Sequence, residues 1–145
     1  MGQQALKFDI GSDIGTEPID RERVDEKEIN WRGSSYKDLI AMPETVRKTF
    51  GYALGLAQNG LRHPDTKTLA GFTPALVEIL EDDDGDTYRG IYTVHYADAV
   101  YVLHCFKKKS TKDKNLPKQD KETIKARLAE VRRIEELKAR ARKKS

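Results

Sequence analysis

Three stretches of the chain carry side chains that could act on a phosphate. Tyr88-Arg89-Gly90-Ile91-Tyr92 sets an arginine inside a strand-like segment, His104 lies in the apolar run Ala99 to Phe106, and Lys107-Lys108-Lys109 follows that run directly. A guanidinium suits a phosphate because its planar fork donates two parallel hydrogen bonds. An imidazole can move a proton near neutral pH, and ammonium groups act as point charges. Each also has a structural reading. Arg89 can pair with Glu78 on a neighbouring strand, the lysine run can guard a strand end against aggregation, and His104 can be a packed core histidine. Strand alternation puts Arg89, Ile91, Thr93 and His95 on one face and Tyr88, Tyr92 and Tyr96 on the other.

Other kinds of site find no support. The ten glycines form no phosphate loop before Lys-Ser or Lys-Thr. Asp82-Asp83-Asp84-Gly85-Asp86 lacks the ligand spacing and terminal glutamate of a calcium loop and reads as a hairpin turn. His63, His95 and His104 are far apart and, with the single Cys105, make no zinc motif. Cys105 has no partner for an internal disulfide and reads as packing. No cofactor or metal is expected.

The elements that must position these residues follow from periodicity. Glu28-Ile29-Asn30-Trp31 is a short strand candidate. Ser34 or Ser35 can cap a helix, with Asp38 as an imperfect capping box. Pro43 suits the first turn of a second helix, on which Val46, Phe50, Ala53, Leu54 and Ala57 make an apolar stripe, and Asn59-Gly60 ends it. The chain from Leu61 to Pro74 reads as loop. Strands are predicted near 75–81, 87–96 and 99–107, as an antiparallel meander. Val100-Tyr101-Val102-Leu103 is apolar at both parities, which predicts a central strand buried on both faces. After a basic connection with Pro117, the chain from Asp120 reads as a helix with Ile124, Leu128, Val131, Ile134 and Leu137 on one side. The fold class is therefore α+β, an antiparallel sheet with an N-terminal helical hairpin on one face and a C-terminal helix.

A length of 145 residues fits one domain. Residues 1–28 are acidic, with four Lys/Arg against eight Asp/Glu, and read as a mobile extension. Residues 29–145 form the domain. From Phe106 to Ser145 there are sixteen basic and six acidic residues, an asymmetry that suits a polyanion such as nucleic acid or a solvated lysine-rich helix. No run approaches the ~20 apolar residues of a membrane span, and the first residues do not read as a secretory signal. A cytoplasmic location is expected, with no membrane partner.

Five short motifs, in this order, resemble the phage-derived HigB-type branch of the RelE/ParE toxin superfamily. They are Trp31-Arg-Gly-Ser-Ser-Tyr-Lys-Asp-Leu, Gln58-Asn-Gly, Lys67-Thr-Leu-Ala-Gly, Tyr88-Arg-Gly-Ile-Tyr and Val102-Leu-His-Cys-Phe-Lys-Lys-Lys-Ser. The resemblance covers about residues 29–137. It implies a RelE-like fold, a type II toxin-antitoxin system with a helix-turn-helix antitoxin encoded nearby, and metal-free cleavage of mRNA on the ribosome. It aligns Arg89 with a strand arginine that contacts the scissile phosphate, Lys108 or Lys109 with a basic residue ending the last strand, and Lys67 with a basic loop position that meets RNA. Two departures stand out. Val77-Glu78-Ile79 occupies the strand where RelE carries lysines, and no tyrosine follows Tyr101, so the proton-transfer groups of any RNA cleavage must differ.

In such a reaction the RNA 2′-OH attacks the adjacent phosphate. The protein removes that proton, stabilises the added charge and protonates the leaving oxygen. Arg89 and Lys108 are the candidates for charge stabilisation and His104 for proton transfer. Lys67, Lys107, Lys109 and Lys112 are the candidates for RNA binding. The alternatives are a non-enzymatic inhibitor of a protein such as DNA gyrase, as in the ParE branch, and a phage-derived binding protein; the shared fold does not decide among them.

Overall fold

The computed structural model describes residues 26–108 and 115–144. The acidic extension therefore lies outside the described residues up to position 25, as do Lys109 and Lys112. Among the described residues five strands and three helices follow one another: β1 (Glu28–Trp31), α1 (Ser35–Ile40), α2 (Glu44–Gln58), β2 (Thr66–Leu69), β3 (Leu76–Asp83), β4 (Asp86–Tyr92), β5 (Ala99–Lys108) and α3 (Lys118–Lys144). One mixed sheet has the order β1-β5-β4-β3-β2. The pairs β3–β4 and β4–β5 are antiparallel, as the predicted meander requires, and β2–β3 is antiparallel as well. At the far edge β1 pairs with β5 in parallel, which is possible because long connections separate these strands in sequence.

The predicted helical stripe is the core of one face. Val46, Phe50, Ala53, Leu54 and Ala57 of α2 pack with Ile29, Val77, Ile79, Tyr88, Tyr92, Val100, Val102 and Cys105. The approach of α2 is close at Gly90, where an added Cβ would lie 2.9 Å from Phe50 Cε2 and 3.0 Å from Ile79 Cγ2. The helix starts just after Pro43, which occupies the cap position rather than the first turn. Ser34 makes no side-chain cap bond to the backbone; its hydroxyl donates to the Asp38 carboxylate at 2.7 Å. Gly60, at φ +78°, turns the chain out of α2.

On the opposite face, α3 lays Ile124, Leu128 and Val131 over Leu76, Ile91, Ala99, Tyr101 and Leu103. The alternate side chains of β5 thus enter two different cores, which is why Val100 to Leu103 reads as apolar at both parities. Polar contacts fix α3 along its length. Arg127 donates to Leu103 O at 2.8 Å and to Ser34 Oγ at 3.3 Å. The Tyr101 hydroxyl donates to Glu135 at 2.6 Å and accepts from Lys138 at 3.1 Å.

Two expectations need correction. The stretch 61–74 contains β2, which pairs with β3 from Thr66↔Ile79 to Leu69↔Leu76. The predicted strand 87–96 ends at Tyr92, after a register shift between Ile91 and Tyr92. Simple alternation therefore fails beyond Tyr92, and Tyr96 packs on the α3-covered cluster, edge-on to Tyr101 at 5.7 Å. No helix among the described residues is long and apolar enough to cross a membrane.

Candidate RNA-facing site

The face covered by α3 is apolar at one end and charged at the other. Strand pairing carries one row of side chains across the charged end. Lys67 on β2 stands opposite Glu78 on β3, Arg89 on β4 stands opposite Phe106 on β5, and Ile91 stands opposite both Glu78 and His104. Ile91 belongs to the α3-covered cluster, so alternation puts Arg89, His104, Phe106 and Lys108 on its face. Lys67, Arg89, His104 and Lys108, identified in three separate stretches of sequence, thus share one surface of the sheet.

Arg89 is not on an outward face, as a strand arginine serving a phosphate would be expected to lie. It is only 1% exposed, and its Nε donates to Oε2 of Glu78, which is fully buried. Lys67 Nζ approaches the other oxygen of Glu78 at 3.7 Å, an ion pair too long for a hydrogen bond. Two cations therefore share one carboxylate, and the trio keeps a net positive charge. Lys67 is about half exposed and brings that charge to the surface.

An aromatic ring links Arg89 to the histidine. The Arg89 guanidinium carbon lies 5.4 Å from the Phe106 ring centroid, and His104 stacks on the same ring at 4.7 Å with planes 19° apart. His104 Nε2 meets Asp120 Oδ1, in the first turn of α3, at 2.7 Å. Within this cluster, two buried nitrogens have no hydrogen-bond partner among the described residues: Nη1 of Arg89 and Nδ1 of His104. Both lie on side chains that pack against the Phe106 ring. A carboxylate on Nε2 also holds the imidazole orientation, the usual role of a partner to an acid–base histidine.

Lys107 belongs elsewhere. It stands opposite Tyr88, on the α2-covered face, and lies 3.5 Å from Asp86. With Tyr88 and Asp38 it lines a cavity of about 460 Å³ that His104 and Phe106 also border. Adjacent lysines on a strand must diverge in this way. Cys105, also on that face, is buried, and burial pushes its thiol pKa far up; it packs and is not poised as a nucleophile. Among the described residues no group of three or more His, Cys, Asp or Glu is arranged to hold a metal ion. Asp120 and Phe106 were not among the residues singled out by sequence. Asp120 carries only the signal of an acid in a helix's first turn, and Phe106 that of an apolar strand end.

A five-stranded sheet with helices on both faces, ending in a long helix, is a RelE-like α+β fold. A family model described as phage derived protein Gp49-like (DUF891) matches residues 37–129. The chain belongs to this phage-derived family, which is RelE-like and toxin-like. No curated protein and no solved structure gives a significant match.

Proposed function

We propose that the chain is a HigB-like toxin of a type II toxin-antitoxin pair, and that it cleaves mRNA on the ribosome at the charged end of the α3-covered face. The observation that carries this reading is the convergence of Lys67, Arg89, His104 and Lys108 on one surface, with two buried nitrogens open beside Phe106. Lys67 and Lys108 meet the phosphates flanking the cut. His104, oriented by Asp120, transfers a proton through Nδ1. Arg89 supplies charge stabilisation through Nη1, and since it is 1% exposed it reaches substrate only when the Phe106 ring turns aside. Lys109 and Lys112 extend the phosphate contacts, whereas Lys107 serves the opposite face. A helix-turn-helix antitoxin encoded nearby neutralises the toxin by covering its basic surface.

The test is cleavage of mRNA on programmed ribosomes by the purified chain and by His104→Ala and Lys67→Ala. His104→Ala is expected to lose about 10²–10⁴-fold, the range of general acid–base catalysis, and Lys67→Ala a smaller factor. Cleavage unchanged in His104→Ala would overturn the catalytic assignment. One observation favours a second reading: Glu78 neutralises Arg89 and is fully buried. A chain that inhibits a protein such as DNA gyrase needs no open phosphate site, so a wild-type protein that blocks supercoiling and leaves ribosome-bound mRNA intact would support that alternative.

A further inference from the structure

We infer that the cavity between the β2–β3 connection and α3 binds one nucleotide of a single-stranded RNA. This rests on the RNA reading above and adds a subsite to it. The cavity measures about 430 Å³ and is lined by Gly71, Phe72, Thr73, Lys125, Leu128 and Arg132, a size in the usual range for small-ligand sites. Its floor is the half-buried Phe72 ring beside Leu128, both part of the α3-covered cluster. Its rim carries two cations. Arg132 donates through Nη1 to Thr73 O at 2.7 Å and so ties the connection to the helix. Lys125 is exposed, with no hydrogen-bond or ion-pair partner among the described residues.

An aromatic floor with cations at the rim is the combination that holds a single-stranded nucleotide: a base stacks on the ring and the backbone phosphate meets the charge. The position also fits. One flank of α3 leans towards β1 and α1, through Arg32–Glu130 and Arg127–Ser34. The other flank, with Lys125 and Arg132, faces β2 and β3, the side on which Lys67 stands. A strand crossing Lys67 can therefore run along this flank and place a base in the cavity. A duplex cannot, because its bases are already stacked.

The experiment is fluorescence anisotropy of a labelled RNA oligonucleotide of about ten nucleotides with the full chain, with its hybridised duplex as a control. Lys67→Ala, Lys125→Gln and Phe72→Leu are compared, and each variant's melting temperature is recorded. Lys125→Gln is expected to lower the slope of log affinity against log salt by about 0.7, the value of one phosphate contact on a single strand. Phe72→Leu should weaken binding roughly five-fold or more, the lower end for one base–aromatic stack. The duplex should bind more weakly than the single strand. Binding lost in Lys67→Ala but unchanged in both cavity variants would overturn the cavity assignment and leave the RNA reading standing. No RNA binding by the wild-type chain would overturn both.

Discussion

The two faces of the sheet are buried by different means. Under α2 the contact is apolar apart from the Tyr92 hydroxyl, from Val46 to Ala57 on the helix and Ile79, Tyr92 and Val102 on the strands. Under α3, Ile124, Leu128 and Val131, with Ile134 partly buried beside them, make such a contact, and the same face also carries Glu78, Arg89 and His104. Desolvating an ion pair often costs as much as the pair returns, so apolar residues of similar volume commonly do as well or better. One face is therefore organised for stability, and the other retains buried charge that stability alone does not require.

Single truncations on the two faces should cost alike for unlike reasons. Phe50→Ala should destabilise by about 3–5 kcal/mol through a core cavity. Arg89→Ala should also cost about 3–5 kcal/mol, because it leaves the buried Glu78 carboxylate without its hydrogen-bonded partner and with only the longer ion pair to Lys67. Denaturant unfolding checks both, and a small loss for Arg89→Ala would show that water reaches Glu78. Next in size, Gly90→Ala should cost about 1–3 kcal/mol, the usual penalty of overpacking, since its Cβ would meet Phe50 and Ile79. A neutral result would mean that the α2 face is looser than its contacts imply.

The smallest effects separate two phenols. The Tyr92 hydroxyl, under α2, has no partner among the described residues, whereas that of Tyr101 is held by Glu135 and Lys138. Tyr101→Phe should cost about 1 kcal/mol, one net hydrogen bond, and Tyr92→Phe close to nothing. Burial raises both pKa values from the ordinary 10.0 to about 12. For Tyr101 the hydrogen bond to Glu135 adds to the shift. The folded protein thus keeps these protons where the unfolded chain releases them. Their contribution is complete below pH 10 and is lost as pH rises towards about 12. Unfolding measured across that window should show a falling stability, with a shallower slope in each Phe variant.

The difference between the faces explains what could be read from sequence. The α2 face was legible because Val46, Phe50, Ala53, Leu54 and Ala57 repeat at helical spacing, and packing of that kind leaves a periodic trace. β2 left almost none: Thr66-Lys67-Thr68-Leu69 is a short edge strand with a single apolar residue. Arg89 was recognised together with its possible partner Glu78, yet only the β3–β4 register decides that they meet. The contact of His104 with Asp120 joins residues sixteen positions apart through the docking of α3, which no local pattern encodes. The separation of Lys107 from Lys108 was available from strand parity, but a run of three like residues invites reading them as one patch.

The central claim is that the buried charge under α3 serves RNA chemistry rather than the fold. The double variant Arg89→Met/Glu78→Leu tests it most directly, because removing both partners strands no charge. Its thermal stability should equal or exceed that of the wild type, while cleavage of ribosome-bound mRNA falls by about 10²–10³-fold, the usual loss when a positioned transition-state contact is removed. A folded double variant that cuts mRNA at the wild-type rate would contradict the account.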